Sequence, residues 1–131
     1  MKFLSKGYIA AILWAIIILT LCTIHLGSIT KSPLFFAGFD KLVHCGMFFV
    51  LVVLMGYGYF TNNSKVGNIF GMLILVTIIA IIFGGIIELL QYYFIPWRSG
   101  EWDDLFADTI GALMGSFSIL IIFKALNYVK K

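Results

Sequence analysis

Polar residues in this chain come in short clusters set between long apolar runs. Four such runs occupy 8–26, 43–60, 66–95 and 105–123. Each approaches the ~20 residues that a helix needs to cross ~30 Å of hydrocarbon. β-Branched residues are abundant, but the runs are too long for ordinary strands. Backbone groups in lipid must be satisfied within the segment, which makes each run a helix. The pattern predicts an all-α polytopic membrane protein, a single domain over 1–131. Its bundle of four transmembrane helices would cover about 8–27, 42–60, 66–95 and 104–124. The third run exceeds a simple crossing, so it must tilt or protrude.

The connections read as turns and short loops. Ser32-Pro33 forces extended or turn geometry between the first two helices. "TNNSKV" (61–66) is an Asn-rich turn, and "PWRSGEWDD" (96–104) joins the third and fourth helices. The Asn62-Asn63-Ser64 acceptor pattern is too short to carry weight at such a turn. Lys2 and Lys6 give the first run a basic start, but the run is too long for a signal sequence and no small-residue cleavage site follows. "LTLC" (19–22) lacks the small residue expected before a modified cysteine, so the first run reads as a retained anchor.

Composition agrees. The chain has 131 residues, 62% hydrophobic and only 11% charged, with a mean hydropathy of +1.07. A soluble domain carries about a quarter charged residues. The net charge of +3 comes from dispersed lysines, with no basic block and no nucleic-acid signature. Six basic residues lie on one side of the predicted bundle: Lys2, Lys6, Lys65, Lys124, Lys130 and Lys131. The other side holds Lys31, Lys41 and Arg98. That asymmetry places both termini in the cytoplasm. All six acidic residues belong to the opposite half, where Trp97 and Trp102 flank the last connection as interfacial aromatics.

The acidic residues pose the functional question. No charge interrupts 66–87, and then Glu88 and Gln91 appear inside "GGIIELLQYYF". Glu88 precedes Pro96 by about 12 Å of helix, at 1.5 Å per residue. His44 opens the second helix and Asp108 lies one turn into the fourth, so three helices bring polar groups to one depth. Gly84, Glu88 and Gln91 share a face, as do Asp104, Asp108, Gly111 and Gly115, and as do Asp40 and His44. "GALMG" (111–115) is a small-xxx-small packing stripe, which turns Asp108 toward protein. A carboxylate facing lipid would cost at least ~2.5 kcal/mol.

Other readings compete at several positions. Asp103 and Asp104 complement the positive end of a helix. Lys41 reads most simply as snorkelling to the headgroups. Glu88 could pair with Arg98 or His44 as a structural clamp, and His25 reads as an interfacial histidine. Cys22 and His25 share a face and His44 adjoins Cys45, but no paired metal-binding motif occurs. No metal and no cofactor are assigned, and the cysteines read as small buried thiols.

"DKLVH" (40–44), "IIELLQ" (86–91) and "PWRSGEWDDLFADTIGALMG" (96–115) together resemble the VanZ-like family. Its pattern runs D-K-x-x-H, E-x-x-Q, then R-x-x-x-x-x-D-x-x-x-N-x-x-G-x-x-x-G. The resemblance covers 40–115, with one departure: Asp108 stands where the family has Asn. It implies a multi-pass protein of the bacterial cytoplasmic membrane, linked to the cell envelope. The family is named for a protein that lowers susceptibility to the lipoglycopeptide teicoplanin.

The leading expectation is a binding protein with a polar pocket open to the outer leaflet. Its ligand would be an anionic lipid, a lipid-linked cell-wall precursor or an amphiphilic glycopeptide. Arg98 would take a phosphate or carboxylate, Lys41 would add charge, and Asp40, His44, Glu88, Gln91, Asp104 and Asp108 would complete the site. A second reading is an enzyme on a lipid-linked substrate, with Glu88, His44 and Asp108 in acid–base roles. A third is an assembly subunit whose polar network is purely structural. A homo-oligomer is compatible with all three.

The topology is testable in a cysteine-free background. Single cysteines at positions 32 and 99 should react with an impermeant thiol reagent on intact cells, and one at position 64 should not. Labelling of position 64 alone would reverse the orientation.

Overall fold

The computed structural model describes residues 6–24, 36, 38–63, 67–98 and 100–129. His25, Ser32-Pro33 and the 64–66 part of the Asn-rich turn lie outside the described residues, as do five of the lysines used for orientation. The described residues form four helices and no strand: α1 (Lys6–Thr23), α2 (Phe39–Asn62), α3 (Ile69–Phe94) and α4 (Trp102–Val129).

Helix boundaries follow local chemistry. α2 begins at Phe39, earlier than the hydropathy pattern suggests, because Gly38 takes the left-handed conformation (φ 86°) that lets the chain turn into the helix. α3 begins at Ile69 rather than at 66, because the Asn68 side chain accepts the Gly71 N–H and caps it. α4 starts with Asp103 and Asp104 in its first turn, matching the helix dipole. It continues to Val129, beyond the expected 124.

α2, α3 and α4 are long and apolar enough to cross a membrane. α1 is apolar but shorter, with Gly7–Thr23 as its apolar helical part. Its 18 residues span about 27 Å at 1.5 Å per residue. The expectation of four full spans is met in part: three helices are long and apolar enough, and α1 is a shorter apolar helix. Large apolar side chains cover the outside of the bundle, among them Ile74, Leu75, Ile78 and Ile82 of α3.

Residue pairings fix the helix directions. Lys41 meets Asp104, Cys45 meets Gly111 and Phe49 meets Gly115, so α2 and α4 run parallel. Gly84 faces Asp108 and Thr77 bonds Ser116, so α3 is antiparallel to α4. Gly7 lies against Gly58 while Trp14 donates to the Met47 carbonyl, so α1 is antiparallel to α2. Ile18, Phe48, Val52, Ala80, Ile87 and Ala112 form the centre of the core. Lipid is as apolar as these side chains, so van der Waals fit rather than water exclusion holds the helices together.

That fit is tightest between α2 and α4. A Cβ on Gly111 would collide with the Cys45 carbonyl oxygen, and one on Gly115 would sit 2.8 Å from the Phe49 carbonyl oxygen. Both obstacles are backbone and cannot swing aside. Gly46, on the outside of α2, would place a Cβ in open space. Gly111→Ala should therefore cost about 1–3 kcal/mol through overpacking. Gly46→Ala should be neutral or gain up to ~1 kcal/mol. Thermal unfolding in detergent distinguishes them; equal melting temperatures for the two variants would contradict this account of the interface.

Candidate functional site

The polar residues of three helices meet at one end of the bundle. Lys41 and His44 open α2, Asp104 and Asp108 open α4, and Glu88 and Gln91 lie in the last two turns of α3. His44, Glu88, Gln91, Asp104 and Asp108 are all buried, and Gln91 and Asp108 are 0% exposed. The interior of the site is thus a closed cluster rather than an open pocket. Asp40 and Glu101 are exposed and Lys41 and Arg98 half-buried, so these four reach the surface.

Lys41 is not snorkelling. Its Nζ donates to Asp104 Oδ1 at 2.7 Å, to Glu101 Oε2 at 2.9 Å and to Asp40 Oδ2 at 3.3 Å. An ammonium has three N–H donors, and three carboxylates take them. Desolvation explains the difference from the surface reading: Asp104 is almost fully enclosed, and a buried carboxylate needs a nearby cation. Lys41 therefore has no donor to spare for the ligand role expected of it.

His44 forms the second pairing. Its Nδ1 shares a hydrogen bond of 2.9 Å with Asp108 Oδ1, and its Nε2 lies 3.9 Å from Asp104 Oδ2. Parallel packing makes this possible, since two basic groups one turn apart on α2 face two acidic groups one turn apart on α4. Gly84 on α3 leaves room for Asp108, whose Oδ2 would lie 2.7 Å from a Cβ there. The expected stripes Gly84–Glu88–Gln91 and Asp104–Asp108–Gly111–Gly115 all face inward.

Glu88 is held differently from either expected clamp. Its Oε2 accepts the Glu101 backbone N–H at 2.7 Å, and it makes no ion pair among the described residues. The loop folds back onto α3 to deliver that N–H because Gly100 has no side chain; a Cβ there would sit 2.6 Å from the Glu88 carbonyl oxygen. Gln91 donates to the Cys22 carbonyl of α1 at 2.9 Å, which ties α1 to α3. Its NH2 group is engaged in that tie rather than turned to a ligand. Trp97 donates to the Thr23 carbonyl at 3.3 Å and joins the loop to α1 as well.

Arg98 forms no ion pair among the described residues. Asp40, Glu101 and Asp104 hold Lys41, Asp108 bonds His44, and Glu88 accepts the Glu101 N–H. Trp97 next to it is half exposed, and Trp102 is 85% exposed. Cys22 is buried and Cys45 half-buried, both as free thiols.

A family model described as VanZ/LLP1 matches residues 7–124. The chain belongs to the VanZ-like family. The match takes in the first helix as well as the motifs at 40–115. No curated protein and no solved structure matches it. In the VanZ-like pattern, the departure at Asp108 falls on the residue that bonds His44.

Two site residues were missing from the sequence reading, Glu101 as a partner of Lys41 and Gly100 as the enabler of the Glu88 bond. Their signal was the Gly-Glu step just ahead of a helix start, read only as loop. The Lys41 network predicts a graded response. Lys41→Met should cost about 1–3 kcal/mol, below the value for a fully buried pair because Lys41 is partly solvated. Asp40→Asn, at the exposed edge, should cost under ~0.5 kcal/mol. A double-mutant cycle on Lys41 and Asp104 in thermal unfolding should give a coupling above ~0.5 kcal/mol. Additive effects would show that the contact is energetically idle.

Proposed function

We propose that this VanZ-like membrane protein binds the anionic headgroup of an envelope lipid or lipid-linked cell-wall precursor, with Arg98 as the phosphate ligand. One observation carries the reading: among the described residues, Arg98 is a cation at the polar end that no carboxylate engages. Its planar fork suits two phosphate oxygens at once. Trp97 and Trp102 beside it would seat the loop at the headgroup level. Asp40 and Glu101 at the rim would accept hydrogen bonds from hydroxyl or amino groups of the same headgroup, and the buried network of His44, Glu88, Gln91, Asp104 and Asp108 would hold that rim in place. The site would face the outer leaflet of the bacterial cytoplasmic membrane. An amphiphilic glycopeptide of the teicoplanin type offers the same carboxylate chemistry and is the alternative ligand.

A second reading rests on the His44–Asp108 contact, since an imidazole oriented by a carboxylate is the arrangement of a general base. It would make the protein an enzyme on a lipid-linked substrate, with Glu88 as its acid. Because His44 is only 3% exposed, that chemistry requires the cluster to open.

The binding reading is tested by thermal unfolding in detergent, with and without bacterial lipid extract or purified phosphatidylglycerol. The wild type should be stabilised by lipid. Arg98→Lys should melt close to the wild type without lipid yet lose most of the lipid-dependent rise, because lysine keeps the charge but not the fork. Mass spectrometry should find fewer co-purifying lipids on the variant. A variant that already melts far below the wild type without lipid would assign Arg98 to the fold instead.

A further inference from the structure

The Lys41 and His44 pairings leave part of the site's charge unmatched. His44, Glu88 and Asp108 come from three helices, and each offers a ligand atom within 4.8 Å of those of the other two. Asp108 is wholly buried, and its Oδ2 has no hydrogen-bond partner among the described residues. The same holds for Oε1 of Glu88, which is 9% exposed. Buried carboxylate oxygens ordinarily find donors, so two lone ones in one trio point to a partner that the described side chains do not supply. Asp104 adds a third carboxylate beside the imidazole, with Oδ2 3.9 Å from His44 Nε2.

We propose that His44, Glu88 and Asp108 form a binding site for a divalent cation of borderline hardness, Mn2+ or Zn2+. One imidazole and two carboxylates make a mixed nitrogen–oxygen set, which those ions accept. Ligand atoms around such an ion stand roughly 3–3.5 Å apart, given metal–ligand bonds near 2.1 Å. The trio's ligand atoms, within 4.8 Å of one another, would close to that spacing on binding the ion. Oδ2 of Asp108 and Oε1 of Glu88 would then be satisfied by the ion, while Oε2 of Glu88 keeps the Glu101 N–H that orients it. The outer trio of Asp40, Glu101 and Asp104 is also close enough for a cation, but Lys41 Nζ already stands among its oxygens. This inference is independent of the lipid reading, because it concerns buried residues and not Arg98.

The test uses the full chain in detergent, freed of metal with a chelator and titrated with MnCl2, ZnCl2, CaCl2 and MgCl2. Electron paramagnetic resonance counts bound Mn2+, and thermal unfolding reads stabilisation. About one Mn2+ per chain should bind, and saturating Mn2+ or Zn2+ should raise the melting temperature by roughly 5 °C or more. Glu88→Gln and Asp108→Asn, which preserve shape, should each weaken Mn2+ binding at least about tenfold. Asp103→Asn, at an exposed position outside both trios, should bind as the wild type does. The inference is overturned if the wild type binds no Mn2+ and gains no stability from Zn2+. It is also overturned if binding survives Glu88→Gln and Asp108→Asn, or is lost with Asp103→Asn. Because the first criterion uses the wild type alone, a variant that fails to fold does not rescue the proposal.

Discussion

A carboxylate cannot stand alone in a low-dielectric interior, and the bundle is arranged around that constraint. α4 carries Asp104 and Asp108 on its inward face, and α2 carries Lys41 and His44 on the face opposite. The helices run parallel, so both pairs form in order along the same seam. Gly111 and Gly115 continue the seam and let the backbones touch where the charges end. In lipid, where apolar packing has no water to exclude, this ionic seam and its glycine extension define which helix faces meet. Sliding α4 by one turn would leave one acid and one base of the seam without a partner.

The other two helices are attached to that seam through the backbone. Glu88 receives the Glu101 N–H, Gln91 reaches the Cys22 carbonyl, and Trp97 reaches the Thr23 carbonyl. Each bond uses a main-chain group at a helix end, where intrahelical partners run out. The polar end is therefore the most heavily cross-linked part of the described molecule. Deeper in the bundle, polar contacts are sparse; the Thr77–Ser116 hydroxyl pair is one.

Helical class, the polar level and the inward stripes were legible because they depend on local periodicity and length. Gly84, Glu88 and Gln91 fall on one face for the same reason that Asp104, Asp108 and Gly111 do. What could not be read was which cation would take which acid. Lys41 and Arg98 look alike at the sequence level, each near the surface and near several carboxylates. The choice depends on the parallel packing of α2 with α4 and on a loop that turns Glu101 back, and both are tertiary facts. Helix starts were displaced for a local reason instead. Capping at Gly38 and Asn68 does not register in hydropathy.

The division between lysine and arginine has a consequence for any ligand. An ammonium is compact and its three donors can point to three separate oxygens, so Lys41 suits a cage of acids from α2, α4 and the loop. A guanidinium placed there would present a flat fork in place of three donors spread around one nitrogen. Arg98, by contrast, occupies the rim, where a planar bidentate donor matches phosphate or carboxylate geometry. Of the five carboxyl groups in the two trios, Glu88, Asp104 and Asp108 are buried, with His44 among them and Lys41 at their edge. The interior thus attracts positive charge, while the rim offers a positive group to an anion. A ligand that satisfies both regions must itself be dipolar, such as a zwitterionic headgroup or a phosphate accompanied by its own cation. A purely anionic ligand would gain Arg98 but find Lys41 and His44 already taken by Asp104 and Asp108, so its hold would be confined to the rim.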